Sequence, residues 1–265
     1  MTQSHITYLE ETIDGLTLRG TAHIPDGDGP FPTVLMFHGF FAVRDECFNA
    51  FVQLSSLLNM AGICAIRFDF SCHGESDGEP INFTFSHELR EGTELINRIR
   101  SLDYVDESRI SLLGMSLGGV AAGMVAGLAT DQVNAVCMWS PAAVFGDDVP
   151  RGILAGTDVN QQLNELGHCD YLSFPVGRRF FDDFKTIDIY GVSTRFTGPV
   201  AVILGDSDET VPEHYAHDYA AAYSQPVEVT IVPKATHGWS TIPTRTALFE
   251  RTMQFLTAVN HRANH

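Results

Sequence analysis

Apolar residues along this chain fall into short continuous runs, separated by longer stretches in which they recur every three or four positions. The runs cover residues 33–37, 63–68, 109–113, 133–139, 200–204 and 227–232. A run of strand length without alternation is what a strand buried on both faces requires. Between them, residues 48–60, 86–101, 117–128, 213–223 and 245–259 predict helices, with Leu89, Ile96 and Ile99 among the apolar positions of the second and Gly62 marking the end of the first. Upstream, residues 7–12 and 16–24 flank Asp14-Gly15, and an Asp-Gly pair between two such runs predicts a tight hairpin. The pattern therefore predicts an α/β fold: a mainly parallel eight-stranded sheet with helices on both faces.

One stretch does not follow this alternation. Residues 141–198 contain no clean strand–helix unit, yet they carry Phe145, Tyr171, Phe174, Phe180, Phe181 and Tyr190. A long irregular segment inside a compact domain is usually functional, and this many aromatics argue against disorder. The expected organisation is a core from residues 1–140 and 199–265, with 141–198 inserted as a cap over the C-terminal edge of the sheet.

The chemistry sits at strand ends. Gly114-Met115-Ser116-Leu117-Gly118 reads G-x-S-x-G where a predicted strand meets a predicted helix, the context in which a serine stands on a sharp turn with its hydroxyl beyond the sheet. Such a turn strains the serine backbone, and the flanking glycines remove side chains that would clash. The free amides of the helix N-terminus face the same point. An acid is expected after a late strand, and 200–204 runs into Gly205-Asp206-Ser207-Asp208-Glu209. Asp208 is favoured because the turn ends there, with Asp206 as the alternative. A base is expected near the C-terminus, and His237 lies in the loop after 227–232, before the last helix. Ser116, Asp208 and His237 would then be nucleophile, orienting acid and general base. Strand 33–37 leads into His38-Gly39-Phe40-Phe41, so the oxyanion donors are expected to be the backbone N–H groups of Phe40 and Leu117, with His38 bracing the loop.

Charge and composition narrow the rest. A net charge of −17 over 265 residues excludes the basic footprint of a nucleic-acid binder and disfavours anionic membranes. No apolar run reaches the roughly 18 residues of a membrane span, and the start of the chain lacks the basic and apolar regions of a signal peptide, so a cytoplasmic location is expected. The five cysteines are odd in number, scattered, and form no C-x-x-C pair, so free thiols are expected in place of disulfides or structural zinc. His214 and His217 are three apart on a predicted helix with no third ligand in view, and they read as a solvated face. No metal and no cofactor is required by this chemistry.

Taken together, these motifs resemble the α/β-hydrolase superfamily over nearly the whole chain. The run Asp69-Phe70-Ser71-Cys72-His73-Gly74-Glu75-Ser76 looks like that superfamily's D-x-x-G-H-G-x-S loop, with Cys72 in place of the first glycine. With His38-Gly39-Phe40, Trp139-Ser140-Pro141 and an insert of this size, the chain is similar to the bacterial cinnamoyl (feruloyl) esterases. That resemblance implies a small-molecule hydroxycinnamate ester as substrate and an acyl-enzyme route. It implies that the insert contacts the phenolic ring, with Asp147 or Asp148 accepting a phenol hydrogen bond. Phe180 and Phe181 fall where some relatives place a tyrosine. A general short-chain carboxylesterase, a thioesterase or a monoacylglycerol lipase would carry the same three residues, and a catalytically inactive ligand-binding homologue would keep the scaffold alone. The oligomeric state is left open, a homodimer included.

Overall fold

The computed structural model describes residues 5–262. The N-terminal half contains β1 (His5–Ile13), β2 (Leu16–Ile24), β3 (Phe31–Phe37), α1 (Ala50–Met60), β4 (Cys64–Phe68), α2 (Phe85–Ile99), β5 (Val105–Met115), α3 (Leu117–Leu128) and β6 (Ala135–Trp139). The aromatic-rich stretch follows as α4 (Val144–Asp148), the hairpin β7 (Ile153–Leu154) and β8 (Thr157–Asp158), α5 (Asn160–Leu166), the hairpin β9 (His168–Tyr171) and β10 (Phe174–Gly177), α6 (Arg178–Phe184) and α7 (Ile189–Ser193). The chain then adds β11 (Val200–Gly205), α8 (His214–Ala222), β12 (Val227–Val232) and α9 (Ile242–Arg262).

The expected eight-stranded sheet forms, in the order β1-β2-β4-β3-β5-β6-β11-β12. β2 pairs antiparallel with both β1 and β4, and every later pairing is parallel. The unbroken apolar runs have a direct cause. In β3, Val34 and Met36 pack with Phe51, Leu54 and Leu58 of α1 and with Leu248 and Leu256 of α9. Leu35 and Phe37 point the other way, into a second core with Leu95 and Ile96 of α2 and Val120 and Val125 of α3. Both faces are dry, so positions 34 to 37 are apolar at either parity, and each fully buried Val, Leu or Phe contributes roughly 1.5–3 kcal/mol. Edge strand β1 alternates instead and leaves Ile6 and Tyr8 exposed.

Several element boundaries lie one to four residues from their predicted positions. The first helix begins at Ala50 and not at Phe48, because Phe48 and Asn49 have φ of 53° and 56° and so stand outside the right-handed helix. β5 starts at Val105, where a bulge lets Val105 pair with Phe31. The last helix begins three residues before the predicted Arg245, at Ile242.

Candidate active site

β5 ends at Met115 and α3 begins at Leu117, so one residue, Ser116, makes the whole turn. Its φ of 57° and ψ of −120° lie in a region L residues rarely occupy. Surrounding hydrogen bonds hold it there. The Ser116 amide donates to Trp139 O at 2.9 Å, and its carbonyl accepts from Gly119 at 3.0 Å and Ala142 at 3.0 Å. The two glycines of the motif allow the close approach. A Cβ on Gly114 would lie 1.9 Å from Gly118 O, and one on Gly118 would lie 2.2 Å from the carbonyl oxygens of both Phe37 and His38. Backbone atoms cannot step aside as side-chain tips do. Gly118→Ala is therefore expected to lose about 3 kcal/mol, seen as a fall of roughly 6–12 °C in Tm by thermal circular dichroism. A melt equal to wild type would contradict this packing.

Ser116 Oγ lies 3.1 Å from Nε2 of His237, and His237 Nδ1 lies 3.0 Å from each carboxylate oxygen of Asp208. A carboxylate only accepts, so Nδ1 carries the proton and Nε2 is left with a lone pair facing the serine hydroxyl. Asp208 has a fully buried side chain, and its Oδ1 also accepts the amides of Thr210 at 2.9 Å and Val211 at 2.8 Å. Burial works against its charge, but the hydrogen bond and charge of His237 and these two amides outweigh it and hold the carboxyl below its ordinary value. Asp206, the alternative acid, is engaged elsewhere: its Oδ1 accepts the Lys234 amide at 2.6 Å and the Ser207 hydroxyl at 2.9 Å.

Beside the serine, the loop after β3 is fixed by side chains. His38 Nδ1–H donates to Gly39 O at 2.9 Å, and its Nε2 accepts the Phe70 amide at 3.0 Å. Burial lowers its pKa to about 4 against the bond to Gly39, so it serves as a neutral brace. The Gly39 amide donates to Glu46 Oε2 at 2.7 Å. Among the described residues, the amides of Phe40 and Leu117 donate to no protein acceptor. Amides without a partner are rare in folded proteins and stand here as spare donors flanking Ser116. The loop after β4 closes around Asp69, which binds Arg44, the Arg44 amide at 2.6 Å and the Glu75 amide at 3.1 Å.

Aromatic rings cover the β3 loop. Phe40 stacks on Phe180 at 5.0 Å and meets Tyr171 at 5.1 Å and Phe145 at 5.4 Å, while Phe41 stacks on Phe174 at 5.0 Å. Phe180 is wholly buried, with Phe181 against it at 5.6 Å. Asp147 accepts the Tyr215 hydroxyl at 2.6 Å, and Asp148 pairs with Arg151 at 2.6 Å, so neither carboxylate stands free. Sequence pattern places Tyr171, which supplies a phenol beside Phe40, only among the aromatics of 141–198, and it does not single out Glu46, in the charged run Arg44-Asp45-Glu46. Among the described residues no group of three or more His, Cys, Asp and Glu side chains could hold a metal ion, and no helix is long and apolar enough to cross a membrane.

The strand order, the one-residue turn at the end of β5 and loops converging on its serine define an α/β-hydrolase. Est1E of Butyrivibrio proteoclasticus, solved with ferulic acid bound, has this fold, with a TM-score of 0.84 at 23% identity over 94% of this chain and 99% of that one. The chain belongs to the esterase FrsA-like family, whose sequence model matches residues 2–174. It is 30% identical over 164 residues to an uncharacterized 31.7 kDa Escherichia coli protein of the traX-finO intergenic region, a match covering 60% of this chain and 50% of that protein. It is 29% identical over 139 residues to the esterase FrsA of Klebsiella pneumoniae, covering 50% of this chain and 31% of FrsA. The chain thus spans half or less of the length of these two relatives.

Proposed function

We propose that the protein is a serine esterase acting through an acyl-enzyme, with hydroxycinnamate esters as its substrate class. The observation that carries this reading is the 3.1 Å contact from Ser116 Oγ to His237 Nε2, in line with buried Asp208. In this mechanism His237 takes the hydroxyl proton as Ser116 attacks the ester carbonyl. The amides of Phe40 and Leu117 receive the developing oxyanion, each contributing roughly 3 kcal/mol to the transition state. His237 then protonates the departing alcohol, and water, deprotonated by the same imidazole, releases the acid. None of these steps uses a metal or an organic cofactor.

Two observations support an aromatic acyl group. The loop bearing the Phe40 amide packs against buried Phe145 and Phe180 and against Tyr171, which like Phe40 is only partly buried and keeps ring surface on which a conjugated ring can stack. The fold is shared with a protein solved with ferulic acid bound. Residues 141–198 act as the cap that supplies Phe145, Tyr171 and Phe180. With Asp147 and Asp148 already paired, ring-hydroxyl recognition through either of them requires a phenol to compete with Tyr215 or Arg151.

The test is a panel of methyl ferulate, methyl caffeate, p-nitrophenyl butyrate and an acyl thioester, run beside labelling by a fluorophosphonate. Labelling at Ser116 and a kcat/KM at least about tenfold higher for the hydroxycinnamates, equal to 1.4 kcal/mol of transition-state preference, is expected. A preference for the butyrate or the thioester would reassign the substrate and keep the chemistry. Absence of labelling in folded protein would overturn the serine reading itself.

A further inference from the structure

The loop between β3 and α1 holds a carboxylate that the three-residue mechanism leaves unused. Glu46 is only 8% exposed, and its backbone has φ 60° and ψ 174°, a region left almost entirely to glycine. Such a conformation persists where contacts over-determine it, and they are plain here. Oε2 accepts the Gly39 amide at 2.7 Å and Oε1 accepts the Cys47 amide at 3.0 Å. Gly39 lies directly against the nucleophile: a Cβ built on it would stand 3.3 Å from Ser116 Cβ and 3.7 Å from Glu46 Oε2.

These bonds fix two successive peptides. Glu46 holds Gly39 by its N–H, and Gly39 O accepts both His38 Nδ1–H at 2.9 Å and the Ala42 amide at 3.0 Å. In a trans peptide the C=O and the following N–H point in opposite directions. With the Gly39 carbonyl pinned from one side, the Phe40 N–H is turned to the other. Behind this loop, Arg245 on α9 ties the same segment to the His237 loop, donating to Cys47 O at 3.3 Å, Gly238 O at 3.3 Å and Trp239 O at 3.0 Å.

We propose that Glu46 is a positioning residue for the Ser116 reaction: its carboxylate holds the Gly39 N–H and so sets the residue whose following peptide offers the Phe40 amide to the oxyanion, and its negative charge stabilises the imidazolium that His237 becomes. The proposal rests on the serine-esterase reading. Charged and titratable groups facing Glu46 are Cys47 on its own loop, His237 on the loop after β12, with Asp208 behind it, and Arg245 on α9. Burial pushes the Glu46 carboxyl up from its ordinary value, against the amides of Gly39 and Cys47, the Cys47 thiol and the charge of His237. A buried anion favours positive charge forming nearby, so neutralising Glu46 is expected to move the acid limb of kcat/KM down.

The experiment compares wild type, Glu46→Gln and Glu46→Ala on p-nitrophenyl butyrate across the acid limb of kcat/KM, with fluorophosphonate labelling in parallel. Glutamine keeps one oxygen for the Gly39 N–H, loses the charge, and sets its NH₂ against the Cys47 amide that Oε1 accepts in wild type. Its kcat is expected to fall about tenfold with KM within about threefold, and its acid limb to move down by roughly half a pH unit or more. In Glu46→Ala the oxyanion donor is loosened as well, and kcat and labelling rate are expected to fall together by about 100-fold. Wild-type kcat and an unmoved acid limb in Glu46→Gln would overturn the proposal. A lowered kcat with an unmoved limb would also overturn it, since that pattern assigns Glu46 to the fold alone. If Glu46→Ala does not fold, the acid limb of Glu46→Gln decides. Failure of the underlying reading is seen separately, as wild-type protein that is inactive or a Ser116→Ala variant that is not.

Discussion

Ser116→Ala is expected to lower kcat on any accepted ester by about 10⁶-fold while leaving the melting temperature within a degree or two of wild type. The size follows from what remains. Without Oγ there is nothing for His237 to deprotonate and no acyl-enzyme can form. The Phe40 and Leu117 amides still polarise a bound carbonyl, which leaves a residue of roughly 10³-fold over water. Stability is little affected because the strained backbone at Ser116 is held by main-chain bonds from Trp139, Gly119 and Ala142, none of which uses the hydroxyl. Alanine inherits the same φ and ψ and the same partners. Steady-state kinetics beside circular dichroism check both halves. Near-normal turnover in a folded variant would remove Ser116 from the chemistry, and loss of fold would show that its hydroxyl carries weight the hydrogen-bond pattern does not show.

Why so much of this architecture can be read from the sequence is a matter of constraint. Where a strand is buried on both faces, as β3, β4, β6 and β11 are, nearly every position is apolar, Thr33 and Arg67 being the exceptions, and the run is unmistakable. The elbow is visible for a similar reason: Gly114 and Gly118 are dictated by backbone atoms about 2 Å from where a Cβ would sit. The aromatic-rich stretch 141–198 carries weaker signals. β7 and β8 are two residues each, too short for any period, and the β9–β10 turn places Leu172 and Ser173 at φ of 51° and 70°, positions where pattern leads one to look for glycine or asparagine. The start of α1 is hidden likewise, since Phe48 and Asn49 take left-handed angles under tertiary constraint.

Charged residues divide along the same line. Glu46 follows Arg44 and Asp45 in one charged run, and only the folded loop reveals that its carboxylate is spent on the Gly39 amide. Asp147 and Asp148 look available in sequence, but partners 68 and 3 residues away occupy them. Local spacing locates a carboxylate on an element; it does not say which buried donor will claim it. For Asp206 and Asp208, one turn apart on the same loop, that limit is sharpest, and the choice between them is open to measurement.

Asp208→Asn is expected to cost about 10⁴-fold in kcat with little change in KM, whereas Asp206→Asn should stay within a few-fold of wild type. The amides of Thr210 and Val211 both donate to Oδ1 of Asp208, so an asparagine will be held with its oxygen at that position. Its NH₂ then takes the place of Oδ2, 3.0 Å from His237 Nδ1. That NH₂ competes for Nδ1 with the oxygen, which lies at the same 3.0 Å, and in the tautomer it favours the proton sits on Nε2, so the nitrogen beside Ser116 Oγ can no longer accept. Asp206 makes its contacts by accepting through Oδ1, which an asparagine oxygen reproduces. A stability signature accompanies the kinetics. The Asp208 carboxyl is held below its ordinary value, so its contribution is fully present above about pH 4, the unfolded value, and is lost as pH falls through the lower folded one. Asparagine does not titrate, so the gap in Tm between wild type and Asp208→Asn should narrow on acidification below pH 4. Kinetics of the two variants and melts across that range test the assignment together: a large loss in Asp206→Asn with Asp208→Asn nearly wild type would exchange the two acids.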